Sequence, residues 1–224
     1  MIIGLEGNIG AGKSTLLRRI AQIFPEVEVV PEDIAAWNNY TVDQKPLLAA
    51  YYDEPQKHGF KTQMAILLSR HKANQRAAAS PQHVFVHERT MIADVHIFGK
   101  LGVSQGNLTP TEYDIMRDWA DAVAHEPDVT IFLDVDPEVC YERMRKRGRK
   151  EEGGVPLELL QQLHTIHHQW YNNFDKHGKI IRIQDNDEDA IEDIVEYLHH
   201  AHGVQLHKSP LPLPPQPTTR IATA

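Results

Sequence analysis

Eight residues do most to limit what this chain can become: Gly7-Asn8-Ile9-Gly10-Ala11-Gly12-Lys13-Ser14. They fit G-x-x-x-x-G-K-[ST], a loop whose backbone N–H groups cradle phosphate. The context agrees. Met1 to Glu6 is a short apolar run that reads as a buried strand, and Ser14-Thr15-Leu16-Leu17-Arg18-Arg19-Ile20 opens an amphipathic helix. Strand, glycine turn and helix start together aim N–H donors and the positive end of a helix dipole at one anion. Lys13 then reaches the β/γ-phosphates, and the Ser14 hydroxyl reaches Mg²⁺. The chain is predicted to bind a nucleotide.

The rest of the sequence extends this unit into an alternating pattern. Strands are predicted at 27–30, 83–87, 129–133 and 179–183. Helices are predicted at 41–52, 56–79, 91–101, 110–125, from Pro137 onward, 156–174 and 187–201. Strands alternating with helices imply an α/β fold, here a five-stranded parallel sheet flanked by helices. With 224 residues the chain is long enough for one domain with a real core. We assign 1–202 to that domain and 203–224 to a proline-rich, extended or disordered tail.

Composition removes several function classes. A net charge of −8 argues against broad nucleic-acid binding. Cys140 is the only cysteine, so no internal disulfide forms, and its apolar neighbours mark it as a buried structural thiol. No apolar run is long enough to span a membrane. With a strand beginning at Met1, cytoplasmic residence is the expectation.

Ligands in open α/β sheets bind beyond the C-terminal ends of the strands. Glu32 follows the second strand, and Glu88-Arg89 closes the third, so all three face the crevice of the phosphate loop. A hydroxyl acceptor needs a base, which Glu32 can supply. Arg89 can neutralise charge on the moving phosphoryl group. Glu88 is a candidate Mg²⁺ partner. Further on, Arg143, Arg147 and Arg149 can fold over a triphosphate. With glycines at 148, 153 and 154, the segment 143–154 reads as an arginine-rich lid. Two histidine groups, His164/His167/His168 and His199/His200/His202, have spacings that zinc sites use. No carboxylate or cysteine completes either set by spacing, so both read as solvated helix faces.

Taken together, Gly7 to Ser14, Glu32 with Trp37, Glu88-Arg89-Thr90, and Arg147 to Glu152 followed by Pro156 resemble the deoxyribonucleoside kinases over about residues 1–200. The resemblance implies transfer of the γ-phosphate of ATP to the 5′-hydroxyl of a deoxynucleoside, with Mg²⁺, in a homodimer. It makes Glu32 the general base, Arg89 its partner and Glu88 a magnesium-side residue. It pairs Tyr52 and Glu152 on the sugar 3′-hydroxyl, sets Gln63 on the base, and makes Trp37 and Phe98 pocket walls. The pair Arg70 and Asp94 is similar to that of the deoxycytidine/deoxyguanosine kinase branch. Asp94 can accept from an exocyclic amine while Arg70 donates to the ring, so dA, dC or dG is favoured over thymidine. Thr90, Thr62 and Ile66 depart from the usual residues. The stretch Leu133-Asp134-Val135-Asp136-Pro137 looks more like thymidylate kinase, with Asp134 in the place of a Walker-B carboxylate but expected to be structural. Two other readings stay open: a nucleoside monophosphate kinase, and a kinase-like nucleotide-binding subunit without turnover.

Overall fold

The computed structural model describes residues 1–149, 152–172, 179–184, 188–203 and 206–207. Residues 208–224, which hold the prolines of the predicted tail, and Lys150-Glu151 of the lid lie outside these. The elements run β1 (Ile2–Gly7), α1 (Lys13–Ile23), β2 (Val27–Val30), α2 (Ile34–Asn38), β3 (Thr41–Val42), β4 (Lys45–Pro46), α3 (Leu47–Asp53), α4 (Pro55–Ala78) and β5 (Val84–Glu88). They continue as α5 (Met91–Ala93), a π-helical segment Asp94–Gly99, α6 (Lys100–Ser104), α7 (Pro110–Val123), β6 (Val129–Leu133), α8 (Pro137–Arg147), α9 (Leu157–Asn172), β7 (Lys179–Ile183) and α10 (Glu188–His202).

Five strands form one sheet in the order β2-β5-β1-β6-β7. Every pairing in it is parallel, with Leu5 opposite Glu88 and Gly7 opposite Leu133. Strands covered on both faces are apolar throughout, and Ile3, Leu5, Val86, Ile131 and Leu133 are buried accordingly. Leu16, Leu17 and Ile20 of α1 pack onto them, as do Cys140 and Met144 of α8. Truncating one such leucine to alanine costs about 2–5 kcal/mol. That core holds the C-terminal ends of β1, β2 and β5 in one row, which positions the site.

Helix ends follow local chemistry. Thr109 and Glu112 make a reciprocal capping box with Pro110 behind it, and Asp136 caps α8 ahead of Pro137. Two predictions need correction. The helix expected over 41–52 is a short hairpin, β3 with β4, followed by α3. Asp43 and Gln44 turn at φ 50° and 67°, and Pro46, which would break a helix interior, caps α3 instead. The helix expected over 91–101 is interrupted by the π segment, a wide turn that often marks a functional site. Among the described residues, no helix is long and apolar enough to cross a membrane.

Candidate active site

The loop between β1 and α1 is shaped as its glycines require. A Cβ on Gly10 would sit 2.2 Å from the Cys140 carbonyl oxygen, so only glycine lets the loop lie against α8. Gly12 turns at φ 102°, a conformation that costs glycine little. Lys13 is buried under the loop and donates to the Gly7 and Asn8 carbonyls at 3.2 and 2.8 Å. Burial, with Arg89 nearby, pushes its ammonium down to about 8 against the opposing pull of Glu32, Glu88 and Glu6. Phosphate charge would reverse that shift. Ser14 Oγ donates to Glu88 Oε1 at 2.7 Å, so two hard oxygen donors meet beside the loop.

A cavity of about 620 Å³ opens from the loop across the strand ends. Its walls include Ile9, Gly10, Gly12, Lys13, Ser14, Thr15, Glu32, Trp37, Tyr52, Gln63, Arg70, Glu88, Arg89, Asp94 and Phe98. Arg143, Arg147, Arg149 and Glu152 also line it. The structure therefore brings together nearly all the residues predicted for the site. Gly7, Asn8 and Ala11 belong to the loop but do not line the cavity. Ile66 and Thr62, noted as departures in the sequence, also line it, and Leu48, Tyr51, Leu159 and Leu163 add walls that the sequence did not single out.

On the cavity floor, two arginines and two carboxylates interlock. Arg70, from α4, donates from Nε and, at 3.2 Å, from Nη2 to Asp94, and from Nη2 to Glu32 at 2.9 Å. Its Nη1 donates to the Glu88 carbonyl at 2.9 Å. Arg89 Nε lies 3.1 Å from Glu32 Oε1, and its guanidinium carbon is 4.6 Å from the Phe98 ring centre. Arg89 sits at φ +66°, an uncommon conformation for a side chain of its size and of the kind stored at functional sites. Burial would raise the Glu32 carboxyl, but Arg89, Arg70 and Lys13 outweigh it and hold the group at about 2. Glu32 is thus ionised throughout the neutral range.

Three buried polar atoms of cavity-lining residues lack a protein partner: Thr62 Oγ1, Gln63 Oε1 and Arg89 Nη1. Buried groups left open in this way fit a ligand that supplies the missing bonds. Trp37 is buried, ties its Nε1 to Ser69 Oγ at 2.6 Å and backs Arg70 at 5.9 Å. Glu152 accepts from Arg147 at 2.5 and 2.7 Å and from Arg149 at 3.2 Å. The residue expected on the sugar and two of the three arginines expected on the triphosphate, Arg147 and Arg149, are therefore bonded to one another here.

Sequence reasoning missed Glu6. It lies in β1, buried, and its Oε1 accepts from Thr90 N and Oγ1 at 2.7 and 2.9 Å. Those bonds pin the turn that carries Arg89. Burial raises Glu6 to about 7 despite Arg89 and Arg70. The signal was a lone charge within a strand otherwise buried and apolar.

The histidine reading is corrected on two points. His167 is buried rather than solvated: its Nδ1 lies 2.6 Å from the Leu163 carbonyl, and its ring stacks on Phe132. Burial, with Arg89 adding to it, pushes its pKa down to about 3. Asp134 supplies the carboxylate that spacing alone could not place, with Oδ1 2.7 Å from His168 Nε2. Asp134 is thus committed to α9, while Glu88 faces Ser14. Cys140 is buried as expected, and burial pushes its thiol up to about 11.

The phosphate loop, the strand-end carboxylates and the arginines lining the same cavity define a phosphotransferase of the P-loop class. The chain belongs to the deoxynucleoside kinase family, whose model matches residues 3–201. It is 36% identical over 192 residues to Deoxycytidine kinase 2 of Gallus gallus, covering 75% of this chain and 72% of that one. It is 32% identical over 228 residues to Deoxycytidine kinase of Homo sapiens, covering 87% and 88%. To the mitochondrial Deoxyguanosine kinase of Xenopus laevis it is 31% identical over 190 residues, covering 75% and 72%. The protein is an ATP-dependent deoxynucleoside kinase.

Proposed function

We propose that the enzyme transfers the γ-phosphate of ATP to the 5′-hydroxyl of deoxynucleosides whose bases carry an exocyclic amine, with Glu32 as the general base. The observation that carries this reading is the interlocked floor of Glu32, Arg70, Asp94 and Arg89 at the inner end of the phosphate-loop cavity. ATP lies with its phosphates on the loop and Lys13, and Arg143, Arg147 and Arg149 close over them. The deoxynucleoside lies beyond, its 5′-hydroxyl at Glu32 and its 3′-hydroxyl between Tyr52 and Glu152, whose present partners Arg147 and Arg149 turn to phosphate when ATP binds. Phe98 and Trp37 wall the base, and Gln63 bonds it. Asp94 accepts from the amine and Arg70 donates to the ring. Thymine offers no exocyclic amine, so Asp94, already bonded to Arg70, would gain no bond from it.

A carboxylate at about 2 is a weak base. Phosphoryl transfer suits one, because the largely dissociative transition state asks for orientation first and proton acceptance late. Glu32 therefore aligns the 5′-hydroxyl and takes its proton as the new P–O bond forms. Arg89 stabilises the phosphoryl charge in flight. The all-oxygen pair Ser14 Oγ and Glu88 Oε1 fits Mg²⁺; these two residues would hold the ion, which would offset the phosphate charge. A monophosphate acceptor would need a free cation near the base, and Arg70 is held by Asp94, Glu32 and the Glu88 carbonyl. That occupancy supports a nucleoside acceptor.

The test is Glu32→Gln, assayed with deoxycytidine. We expect kcat to fall by about 10²–10⁴-fold with nucleoside affinity little changed. Near-normal kcat would remove Glu32 as the base.

A further inference from the structure

We propose that Asp134, His164 and His168 form a binding site for a zinc-class divalent cation, separate from the phosphotransfer cavity. Asp134 directly follows β6, and the two histidines are four residues apart on α9, so their side chains leave the same face of the helix. None of the three lines the cavity. His168 Nε2 is 2.7 Å from Asp134 Oδ1, and the two imidazole centres are 4.3 Å apart. One ligand atom from each residue falls within 4.8 Å of the other two. Among the described residues, no other set of three metal-ligating side chains converges in this way.

An ion pair between His168 and Asp134 accounts for two members. It does not account for His164, which hydrogen-bonds neither of them yet turns its ring toward both. A cation accounts for all three. Zinc–ligand bonds of about 2.0–2.2 Å put tetrahedral ligands roughly 3.3 Å apart, so the His168–Asp134 pair would open slightly from 2.7 Å while the His164 nitrogen, within 4.8 Å of both, moves in. Two imidazoles and one carboxylate form a borderline donor set that favours Zn²⁺ over Mg²⁺. All three residues are partly exposed, so water can complete the coordination. The carboxylates of Asp136 and Glu138 act on His164 from the start of α8 and add negative potential.

The site joins two elements that both touch the phosphate loop. Leu133, just before Asp134, pairs with Gly7, and the Leu160 carbonyl of α9 accepts from Asn8 Nδ2 at 2.8 Å. A bound cation would clamp β6 to α9 beneath that loop.

The test uses the untagged full chain, freed of metal by a chelator and kept in excess Mg²⁺ so that oxygen sites stay filled. Zn²⁺ is titrated against a chromophoric competitor, and melting is followed in parallel. We expect the wild type to bind one Zn²⁺ more per chain than the His164→Gln/His168→Gln variant. His164→Gln alone leaves the His168–Asp134 bond in place. It should weaken that site by at least the ~10–100-fold that loss of an outer-shell partner costs. Zinc should raise the melting temperature of the wild type and not that of the double variant. Equal stoichiometry and affinity in wild type and double variant, or no zinc bound by the wild type, would overturn the proposal.

Discussion

The two ends of the cavity are built on different principles. The phosphate end comes from consecutive residues, Gly7 to Thr15, and works through backbone N–H groups, one lysine and a helix start. The proposed nucleoside end comes from side chains on separate elements: Glu32 after β2, Arg70 in α4, Arg89 after β5 and Asp94 in the π segment. The first is fixed by covalent neighbourhood. The second is fixed by charge pairing in a buried space, where each member is costly without its partners. The phosphate end should therefore lose function residue by residue, whereas the nucleoside end should show strong coupling between substitutions.

The sharpest break at the phosphate end is Lys13→Ala. Removing the cation that meets the β/γ-phosphates should lower kcat/KM for ATP by about 10³-fold or more in steady-state assays, with the melting temperature little affected. At the nucleoside end, Arg70→Met alone leaves Asp94 buried and unpaired. It should cost about 3–5 kcal/mol in denaturant unfolding. Arg70→Met with Asp94→Ala should recover part of that loss and raise the ratio of thymidine to deoxycytidine turnover by roughly tenfold or more. Additive stability losses with an unchanged ratio would show that the two residues are not a coupled specificity pair.

Burial shifts the titrating group at each end in opposite directions, Lys13 down and Glu6 up. Lys13, held down to about 8 by burial, loses its charge in the free enzyme as pH rises through that value. ATP draws the proton back, so KM for ATP should climb above about pH 8 while kcat at saturation holds. Glu6, near the nucleoside end, is raised from 4.5 to about 7. Between those values the folded chain keeps a proton that the unfolded chain has released, so stability is full below 4.5 and falls as pH rises through 7. The loss is on the order of 2–3 kcal/mol. Glu6→Gln mimics the protonated form and should flatten that decline in unfolding curves at pH 5 and pH 8. A variant as pH-sensitive as the wild type would exclude Glu6 as its source.

What the sequence made legible follows the same division. The phosphate loop could be read from spacing because its geometry is local. Glu32, Glu88 and Arg89 could be read because strands end where ligands bind. Arg70 and Asp94 came only through a family resemblance, since nothing in their spacing says that α4 and the π segment meet. The hairpin at 41–46 was hidden because Gln44 takes the second positive-φ turn position where glycine is usual, although Asp43 suits a turn and Pro46 argued against a helix. Glu6 was overlooked because its partner Thr90 is 84 residues away. Asp134 and His168 are 34 residues apart, and only the packing of α9 on the end of β6 makes them neighbours.

The central claim is a deoxynucleoside kinase that reads an exocyclic amine. Its most direct test is ATP turnover with Mg²⁺ across the four deoxynucleosides and the four deoxynucleoside monophosphates. Phosphorylation of deoxyadenosine, deoxycytidine or deoxyguanosine is expected, with little of thymidine and none of the monophosphates. Thymidine as the best substrate would contradict the Arg70–Asp94 assignment, and turnover of monophosphates alone would contradict a nucleoside acceptor.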